Sequence, residues 1–593
     1  MKKTLLILLI AFLGFSLFAY NAQTIFPVGS PVYDWIKALY IAEGYALPST
    51  SGPWSAAELG KMLEKIDEPG LPVNMKALYK QACDAVHETE ERSDFNLNFD
   101  LFVEAYLHTN TGSYLGRDAW IRGWDEMKPF FRFSTDAYVG TPFYGYFEFT
   151  LGNSKTFTVS GNPYTRPWGS SSFNSNLPMV PPNDMKQLDF NMPYRAFVAA
   201  GSDVISFQMG RDNLSWGAGT TGNLIIGDQL GYHNLFRVAA FTKSFKWTFL
   251  LSFFPHPQNY YDSTGYLPGG TGGGQSQYIN GIRFFMGHRL EWRMLSDKMT
   301  FTLTEGVMYM SKDNRLDLIV LNPSMLYHNN YTRSLTNSIL GLELDCTPIK
   351  GLNLYVSMVI DESVLPGEPN PESTTAGNLA EPNGRGFIAG ATYILNAKQG
   401  YFHFNAEGAY TDPYLYLRDG DLQSGSASRT QQKGEYGINY VVAVREQADC
   451  GGTTIYDEQF LGYQHGGDAI VASLNAGYAK AGSFDVSVNL FYMLHGTHDQ
   501  WTVWTRIDNT AGRMNQASPT TNHQTENQND DDVSDRNSVE KTFVAGINGS
   551  FNVLKGLKVY GQLDFVSKIN PDNDSTRAPE HDLQLTIGSS YSF

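Results

Sequence analysis

The sequence predicts an all-β transmembrane barrel of about 18 antiparallel strands, preceded by a small α-helical bundle. Three observations support this fold class. The chain opens on an apolar export signal, apolar residues after position 95 recur at every second residue, and the links between the predicted strands alternate between short and long. A repeat of two is that of a strand with one apolar face. Links that alternate between short and long along the chain are typical of up-and-down membrane barrels.

The composition of the 593 residues agrees with an all-β chain. Charged residues make up 17%, against about 25% in an average globular protein, while aromatic residues reach 14%. These proportions exclude a disordered chain, a coiled coil and collagen. The net charge of -17 argues against a nucleic-acid partner, because nucleic-acid binding needs a basic face.

Residues 1–19 are predicted to be a signal peptide, with cleavage after Ala19 or as late as Ala22. Two lysines follow Met1, and an apolar run extends to Ala19, which is the pattern of an export signal. The alternative is an uncleaved anchor, but a run of about 16 residues is short for a spanning helix. An exported chain without a later apolar helix enters a membrane only as a barrel.

Residues 23–92 are predicted to form a periplasmic bundle of about three short helices. Apolar residues recur there at helical spacing, prolines separate the stretches, and Ser55 followed by Glu58 is a capping box. The apolar stripes are Trp35, Ile36, Leu39 and Tyr40; Leu59, Met62, Leu63 and Ile66; and Met75, Leu78, Tyr79, Ala82 and Val86.

Residues 95–593 are predicted to form an outer-membrane β-barrel. Eight short links and nine long polar links join 18 strands, and an even strand number leaves both termini in the periplasm and the long loops outside. Residues 436–444 resemble a strand inside a long loop, but counting them alone would break this parity. A soluble multi-domain sandwich is the alternative, although its links would not sort into two lengths. The C-terminal Phe593 resembles the signal read by the barrel-assembly machinery.

The predicted wall carries candidate polysaccharide-binding residues on its inner face. Alternation points Arg289, Glu291 and Arg293 together into a lumen wide enough for water. This column could hold an anionic sugar, or it could be a structural salt network. Glu305 has the parity of a lipid-facing residue, and a bulge at Gly306 would turn it inward.

Two loops supply the remaining candidates. Arg211, Asp212, Asn213 and Trp216 lie in a glycine-rich segment that combines planar polar groups for sugar hydroxyls with a flat aromatic face for sugar C–H groups. Asp412 and Tyr414 have a similar character. The alternative interpretation is a folded-in loop whose tryptophan packs in a core.

No catalytic residue, metal site or cofactor is predicted. An enzyme such as a lipase would need a Ser/His pair at the rim, and none is evident. The acidic residues at 530–532 and 535 lack the ligand spacing of a calcium loop. A disulfide between Cys83 and Cys346 is a further expectation, because both lie near the predicted periplasmic end.

Several segments, taken in order, resemble the capsule-assembly outer-membrane family, which is Wzi-like. They are Gly29-Ser30-Pro31, Trp54-Ser55, Gly210-Arg211-Asp212 with Trp216-Gly217, residues 288–293, Leu321-Asn322-Pro323, Asp412-Pro413-Tyr414 and residues 462–468. One departure is Ala218, where the family has proline. The resemblance implies an 18-stranded barrel with a periplasmic bundle that tethers capsular or exopolysaccharide in a lectin-like, non-catalytic way.

The expected partners are therefore a surface polysaccharide, outer-membrane lipid and the barrel-assembly machinery. Many capsules are acidic, so the charge of -17 opposes capture unless local arginines dominate within a Debye length of about 8 Å. Arg211, Arg289 and Arg293 could do so. The alternative function is an outer-membrane porin or channel for small solutes, which shares the fold.

Overall fold

The computed structural model describes residues 21–87, 94–110, 128–153, 156–159, 162–165, 172–180, 188–191, 195–257, 278–279, 281–311, 316–322, 335–363, 379–380, 383–417, 438–447, 454–500, 507–508, 517–520 and 536–593. The predicted signal peptide lies outside these residues. So do positions 88–92 of the predicted bundle, the acidic residues at 530–532 and 535, and Cys450.

The wall is a closed antiparallel barrel of 18 strands, as the sequence predicts. The strands are β1 (Phe95–His108), β2 (Phe131–Val139), β3 (Phe143–Asn153), β4 (Ala196–Gly201), β5 (Ile205–Asp212), β6 (His233–Phe241), β7 (Phe245–Phe253), β8 (Ile282–Met294), β9 (Met299–Ser311), β10 (Leu335–Ile349), β11 (Leu352–Glu362), β12 (Gly384–Asn396), β13 (Tyr401–Thr411), β14 (Ala469–Lys480), β15 (Phe484–His495), β16 (Glu540–Leu554), β17 (Leu557–Ile569) and β18 (Glu580–Ser592). Each strand pairs with the next, and β18 pairs with β1 from Ser592 opposite Asp100 to Gln584 opposite His108.

Two short strands complete the wall where β2 and β4 are short. Phe173–Ser175 pairs with β1 at Ala105–Leu107, beyond the last β2 partner at Leu101. Leu188–Asn191 pairs with the end of β3 and continues the line of β4. Segments of the links therefore complete the sheet of the wall beside the short strands β2 and β4.

Eight short turns lie at one end, which we call the short-turn end, and the longer links lie at the long-loop end. The turns occur where the sequence predicts them. The strand-like segment near 436–444 belongs to a separate hairpin, Val441–Gln447 paired with Thr454–Phe460, which is not part of the wall. Leaving it out of the strand count is therefore confirmed.

The outer surface of the wall is apolar. Phe95, Leu97, Phe99, Leu101 and Val103 of β1 are all exposed, while the alternating Asp100 and Glu104 are buried on the inner side. The same alternation along the other strands places a belt of exposed leucine, isoleucine, valine and phenylalanine on the outside of the cylinder.

Three helices precede the wall: α1 (Pro31–Glu43), α2 (Ala56–Leu63) and α3 (Val73–His87), with a 3-10 turn at Glu68–Gly70. Proline begins α1, and Gly44 ends it in the left-handed conformation at φ 88°. The side chain of Ser55 caps α2 by accepting from the Glu58 amide. Within the described residues, no helix is both long and apolar enough to cross a bilayer.

The helices cover the short-turn end. Their apolar core includes Ile394, Tyr401 and Ala479 of the wall. The amide of Asn74 donates to the carbonyl of Gly400 at 2.8 Å, and the Gly351 amide donates to the carbonyl of Ile41 at 2.7 Å. Both acceptor–donor pairs join a helix to a turn of the barrel, so the bundle is fastened to the wall.

Candidate functional site

The lumen is entered from both ends by the chain itself. Residues 45–55, the lower insert, rise from the helical bundle, and residues 213–226, the upper insert, descend from the link after β5. The two inserts meet as a short antiparallel pair of Ser51–Gly52 with Ser215–Trp216. The amide of Gly217 adds a hydrogen bond to the carbonyl of Thr50 at 3.0 Å.

The predicted inward column on β8 holds the lower insert. The Arg289 guanidinium donates to both carboxylate oxygens of Glu343, at 2.5 and 2.9 Å, and to the Thr50 hydroxyl at 2.7 Å. Glu291 accepts from the Ser51 hydroxyl at 2.5 Å and from the Thr50 amide at 3.3 Å. Because a segment of the chain's own occupies these groups, the arrangement matches the salt-network interpretation.

Arg293 lies one step closer to the short-turn end. Its guanidinium donates to the carbonyls of Leu47 and Ala46 at 2.5 and 3.0 Å and to Asp297 at 3.1 Å. Asp297 lies in the β8–β9 turn, where the hydrogen bond from Lys65 and the charge of Arg293 outweigh burial and lower its pKa. The turn, the insert and the bundle are thereby joined by charge.

Buried cations also fix the base of the lower insert. The Lys246 ammonium of β7 contacts the Glu58 carboxylate at 2.5 Å, and each side chain is only 4% exposed. It also donates to the carbonyl of Ser51 at 2.8 Å. The Arg237 guanidinium donates to the carbonyl of Pro53. Buried charges of this kind need such partners, since leaving them unpaired is costly.

The tip of the upper insert is held by Glu407 of β13. This carboxylate accepts from the amides of Thr220 and Thr221, both at 2.7 Å, and from the Thr221 hydroxyl at 2.6 Å. The Tyr355 hydroxyl donates to it at 2.6 Å. The insert therefore bridges the lumen between β5 and the opposite wall.

An apolar core fills the lumen around the upper insert. Inward residues of the wall, such as Phe285, Met308 and Val359, pack there against three links from the long-loop end. The link residues include Leu214, Trp216, Leu224, Ile225, Ile226, Tyr414, Leu415, Tyr416, Leu461 and Tyr463. The expectation of a water-filled lumen is wrong for this part of the barrel, because the links fold inward and bury their apolar side chains.

Trp216 and Tyr414 belong to this core. Trp216 is 1% exposed and Tyr414 is 2% exposed. Trp216 pairs with the lower insert through its backbone, and the Tyr414 ring meets the His498 ring edge-on at a centroid distance of 5.0 Å. Neither aromatic face is open to a ligand in this conformation, which matches the interpretation of a folded-in loop.

Asp412 belongs to a polar cluster that joins the long-loop links. Its carboxylate accepts from the Arg385 guanidinium at 2.7 Å and from the Tyr410 hydroxyl at 3.2 Å. The Tyr410 hydroxyl also lies 2.9 Å from the carbonyl oxygen of Thr520, so its single proton is shared between the two acceptors. These contacts connect Asp412 to a second acidic centre.

That second centre, Asp468, was missed in the sequence. It is buried and accepts from His498 at 2.9 Å, from the Thr520 hydroxyl at 2.8 Å and from the Ser518 hydroxyl. Burial raises its pKa, but these hydrogen bonds and the histidine outweigh burial and hold the pKa below its usual value. The four residues lie up to 52 positions apart, so no local pattern signals the cluster.

The sequence predicts that a bulge at Gly306 turns Glu305 into the lumen, and this prediction is wrong. The register between β8 and β9 is continuous, with Glu305 opposite His288 and Gly306 opposite Gly287. Without a bulge, Glu305 keeps the outward parity. Its carboxylate contacts the His288 imidazole at 3.3 Å, and both side chains are largely buried. Glu305 therefore does not join Arg289 in the lumen.

The remaining loop candidates separate to the two faces of β5. Asp212 points inward, where its carboxylate contacts Arg195 at 2.6 Å and accepts from Gln208 at 2.7 Å. The Asn213 amide donates to the same carboxylate at 2.9 Å. Arg211 points outward and lines a cleft of about 230 Å³ between the ends of β5–β7 and the hairpin Val441–Gln447/Thr454–Phe460.

The expected disulfide is also wrong, because Cys83 and Cys346 are both free thiols. No group of three or more metal-ligating side chains is found in the part of the chain that the structure describes.

Comparisons with known proteins agree on the fold. No protein-family model matches the chain, and no curated protein matches it. The chain is similar to the solved structure of Wzi, an Escherichia coli outer-membrane protein involved in group 1 capsule assembly and described as a carbohydrate-binding β-barrel. The TM-score is 0.55 at 12% identity, over 96% of this chain and 99% of Wzi.

Two other outer-membrane proteins have lower TM-scores. The outer-membrane channel DcaP of Acinetobacter baumannii has a TM-score of 0.35 at 9% identity, over 84% of this chain and 97% of DcaP. OpdK of Pseudomonas aeruginosa has a TM-score of 0.34 at 11% identity, over 84% of this chain and 99% of OpdK. The likeness to Wzi shows the β-barrel fold, while TM-scores as low as those of DcaP and OpdK carry no argument.

Proposed function

We propose that this protein is an outer-membrane barrel that binds surface polysaccharide, capsule or exopolysaccharide, in a lectin-like and non-catalytic way. The observation that carries the proposal is the filled lumen. The two inserts pair with each other inside the wall, and the apolar core packs around the upper insert. A diffusion channel needs a continuous aqueous path, whereas a tether needs a rigid wall that presents its loops.

The exposed apolar belt supports placement in a membrane. Contiguous apolar surface of this extent is rare on a protein dissolved in water. All wall strands except β4 and β5 have 9–15 residues, which suffices to cross a bilayer at a tilt. We place the short-turn end and the helical bundle in the periplasm and the long-loop end outside the cell. A signal peptide over residues 1–19 supports export to this membrane.

Assembly through the barrel-assembly machinery is part of the proposal. The chain ends on Phe593, an exposed aromatic residue whose amide donates to the carbonyl of Phe99 at 2.9 Å. β18 then closes the wall against β1. The exposed aromatic side chain beside this closing pair of strands supports recognition by the machinery before closure.

Conductance in planar bilayers tests the closed lumen. We expect no steady current from the intact protein, because the inserts fill the wall. A variant with residues 216–226 replaced by two glycines should conduct, since it removes the bridge between Ser51 and Glu407. A large steady current from the intact protein would instead establish the porin alternative.

Glycan-array binding by the purified protein tests the tether. We expect retention of an acidic or neutral surface polysaccharide by the folded barrel and none by the heat-denatured chain. An absence of signal on every polysaccharide would overturn the proposed function, whatever the conductance.

A further inference from the structure

Lysines recur around the short-turn end of the barrel. Six of the eight turns carry a lysine, either within the turn or on the strand residue that enters it. The same eight turns hold two acidic residues, Asp203 and Asp297. The turns are therefore net positive in a chain whose net charge is -17. The six lysines, all exposed, are Lys243, Lys298, Lys350, Lys398, Lys480 and Lys555.

Two of these lysines are paired with carboxylates of the helical bundle. Lys243 contacts Glu64 at 2.9 Å, and Lys350 contacts Glu43 at 3.6 Å. The last three along the rim, from the β12–β13 turn to the β16–β17 turn, take part in none of the ion pairs formed by the described residues. Their charge is therefore open to a partner outside the chain. These three, which we call the lysine arc, are Lys398, Lys480 and Lys555.

An aromatic band lies on the outer wall beside the lysine arc. Six rings with outward parity form an unbroken series across β12–β16, with neighbouring centroids 4.8–6.4 Å apart. Girdles of aromatic side chains flank the apolar belt of membrane barrels at the two interfaces with water. The band therefore places the lysine arc at the level of lipid headgroups. In order of contact, its members are Tyr393, Phe404, Phe402, Tyr478, Phe484 and Phe551.

The lysine arc and the aromatic band adjoin each other along the strands. Lys480 follows Tyr478 by two residues on β14, so both side chains lie on the outer face of the sheet. Phe484 pairs with Lys480 on one side and with Phe551 on the other. Lys555 lies four residues beyond Phe551, in the next turn. A lysine in this position extends its stem along apolar surface and keeps its ammonium group in water.

An anionic phospholipid fits this surface better than a free anion. Its acyl chains match the apolar side chains next to the turns, of which Leu395 is 44% and Leu554 is 55% exposed. Its phosphate matches the lysine ammonium, which binds phosphate as a point charge. The negative charge elsewhere on the chain opposes this attraction only weakly, because physiological salt screens charges more than about 8 Å away.

We propose that the lysine arc and the aromatic band bind anionic phospholipids, with the phosphates at the lysines and the acyl chains along the rings. The inference rests on the membrane placement in the proposed function, which assigns these lipids to the periplasmic leaflet. Neighbouring turns are two strands, or about 10 Å, apart. The arc therefore spans more than one headgroup, and its effect is a local enrichment of anionic lipid.

Lipid counting by native mass spectrometry tests the enrichment. The full chain is reconstituted in nanodiscs with equal amounts of phosphatidylglycerol and phosphatidylcholine that share the same acyl chains, and the lipids retained on release are counted. Lys398→Gln, Lys480→Gln and Lys555→Gln are made singly and together. Lys541→Gln is the matched control, because Lys541 is also exposed with outward parity but lies at the long-loop end beside Glu540.

We expect the intact protein to retain about fivefold more phosphatidylglycerol than phosphatidylcholine, the effect of one lysine near a lipid headgroup. The triple variant should retain the two lipids within about twofold of equality, and Lys480→Gln alone should lower the ratio. Lys541→Gln should keep the ratio of the intact protein. Raising the salt to about 1 M, where the Debye length is about 3 Å, should lower the ratio of the intact protein.

Two results would overturn the proposal: equal retention of both lipids by the intact protein, or an unchanged ratio in the triple variant. Unchanged heat-modifiable mobility on gels shows that each variant is folded. Peptidoglycan fragments, titrated onto the same proteins, test a different occupant. Lysine-dependent binding of these fragments without lipid enrichment would replace the lipid with a soluble acidic partner.

Glycan-array binding separates this inference from the proposed function. Enrichment of phosphatidylglycerol without any glycan signal supports the lysine arc and overturns the tether. A glycan signal without enrichment overturns the lysine arc and leaves the tether standing.

Discussion

Buried charge in this protein serves mainly to hold the chain's own inserts. Arg289 is fully buried and is satisfied by Glu343, Glu291, Thr304 and Thr50. Such a group stabilises a unique arrangement only while all of its partners remain. Removing one partner leaves an uncompensated charge in a poorly solvated place.

We therefore expect Arg289→Met to destabilise the protein by about 3–5 kcal/mol, because Glu343 and Glu291 would keep their charge without the guanidinium. Urea unfolding in detergent, followed by tryptophan fluorescence, measures the loss. Arg577→Met, at a side chain that is 44% exposed, should change the free energy of unfolding by less than about 1 kcal/mol. Equal stability of the two variants would contradict the assigned role of Arg289.

For single residues, the sequence predicts which way a side chain points but not which groups it contacts. Alternation along β8 correctly points Arg289, Glu291 and Arg293 inward, because side-chain direction is a local property of a strand. Their partners at positions 46–51 lie about 240 residues away, and no periodicity links such distant segments. A tryptophan such as Trp216 suits an apolar core as well as a sugar-binding site, so the residue type alone does not distinguish these two roles.

Among the elements, the link after β9 takes an unexpected path over the outer wall. The 3-10 turn Leu318–Leu321 places Val320, which is 0% exposed, in an apolar cluster with Phe284, Met286 and Tyr309. Those wall residues have outward parity on β8 and β9. The turn is therefore packed on the outside of the barrel, while Leu318 beside it is 71% exposed.

Val320→Asp should release this turn, because it replaces a buried side chain worth about 1.5–3 kcal/mol with a carboxylate that has no prepared partner. We expect faster amide exchange over residues 316–322 and over the ends of β8 and β9, measured by hydrogen–deuterium exchange in nanodiscs. Leu318→Asp is the control and should leave the protection of β8 unchanged. A similar effect of both variants would show that the turn is not anchored by Val320.

Elements that depend on residues close together in the chain are predictable from the sequence. Elements that depend on contacts between distant residues are not. The strands follow from alternation, and the turn at Gly140–Pro142 and its seven counterparts follow from short, glycine- or lysine-bearing links. The helix α2 follows from the Ser55 cap. The pairing of Ser51 with Trp216 and the outer packing of Val320 depend on long-range closure, which no window of the sequence contains.

In the whole molecule, the barrel wall is connected to the helical bundle, to the two inserts in its lumen and to the links at the long-loop end. The bundle is tied to the turns of the short-turn end, the inserts join the two ends through the lumen, and the links at the long-loop end share one apolar core. Closure of β18 on β1 brings the two termini of the wall together. A disturbance of the upper core is therefore expected to reach the upper insert, and through it the lumen.

Acid provides such a disturbance. His465, in the link before β14, contacts the rings of Tyr463 and Phe491 at centroid distances of 5.3 and 5.7 Å. Burial, with a smaller contribution from His495, lowers its pKa from 6.5 to about 3. The neutral ring contributes its full stability above pH 6.5, and this stability is lost as pH falls toward 3. Asp468, whose pKa is also lowered, adds a loss in the same direction at the lowest pH.

We expect amide exchange over residues 461–468, corrected for intrinsic rates, to accelerate as the pH falls from 6.5 to 4.5. The largest expected change in local stability is about 1.4 kcal/mol per pH unit. This limit holds for one group that binds a proton when the segment opens and stays neutral when it is folded. His465→Phe should flatten this dependence, since phenylalanine keeps the ring contacts and takes no proton. His581→Phe, at an exposed ring stacked on Phe565, should not. Exchange that is equal at pH 7 and pH 4.5 in the intact protein would show that this histidine does not couple acid to the seal of the lumen.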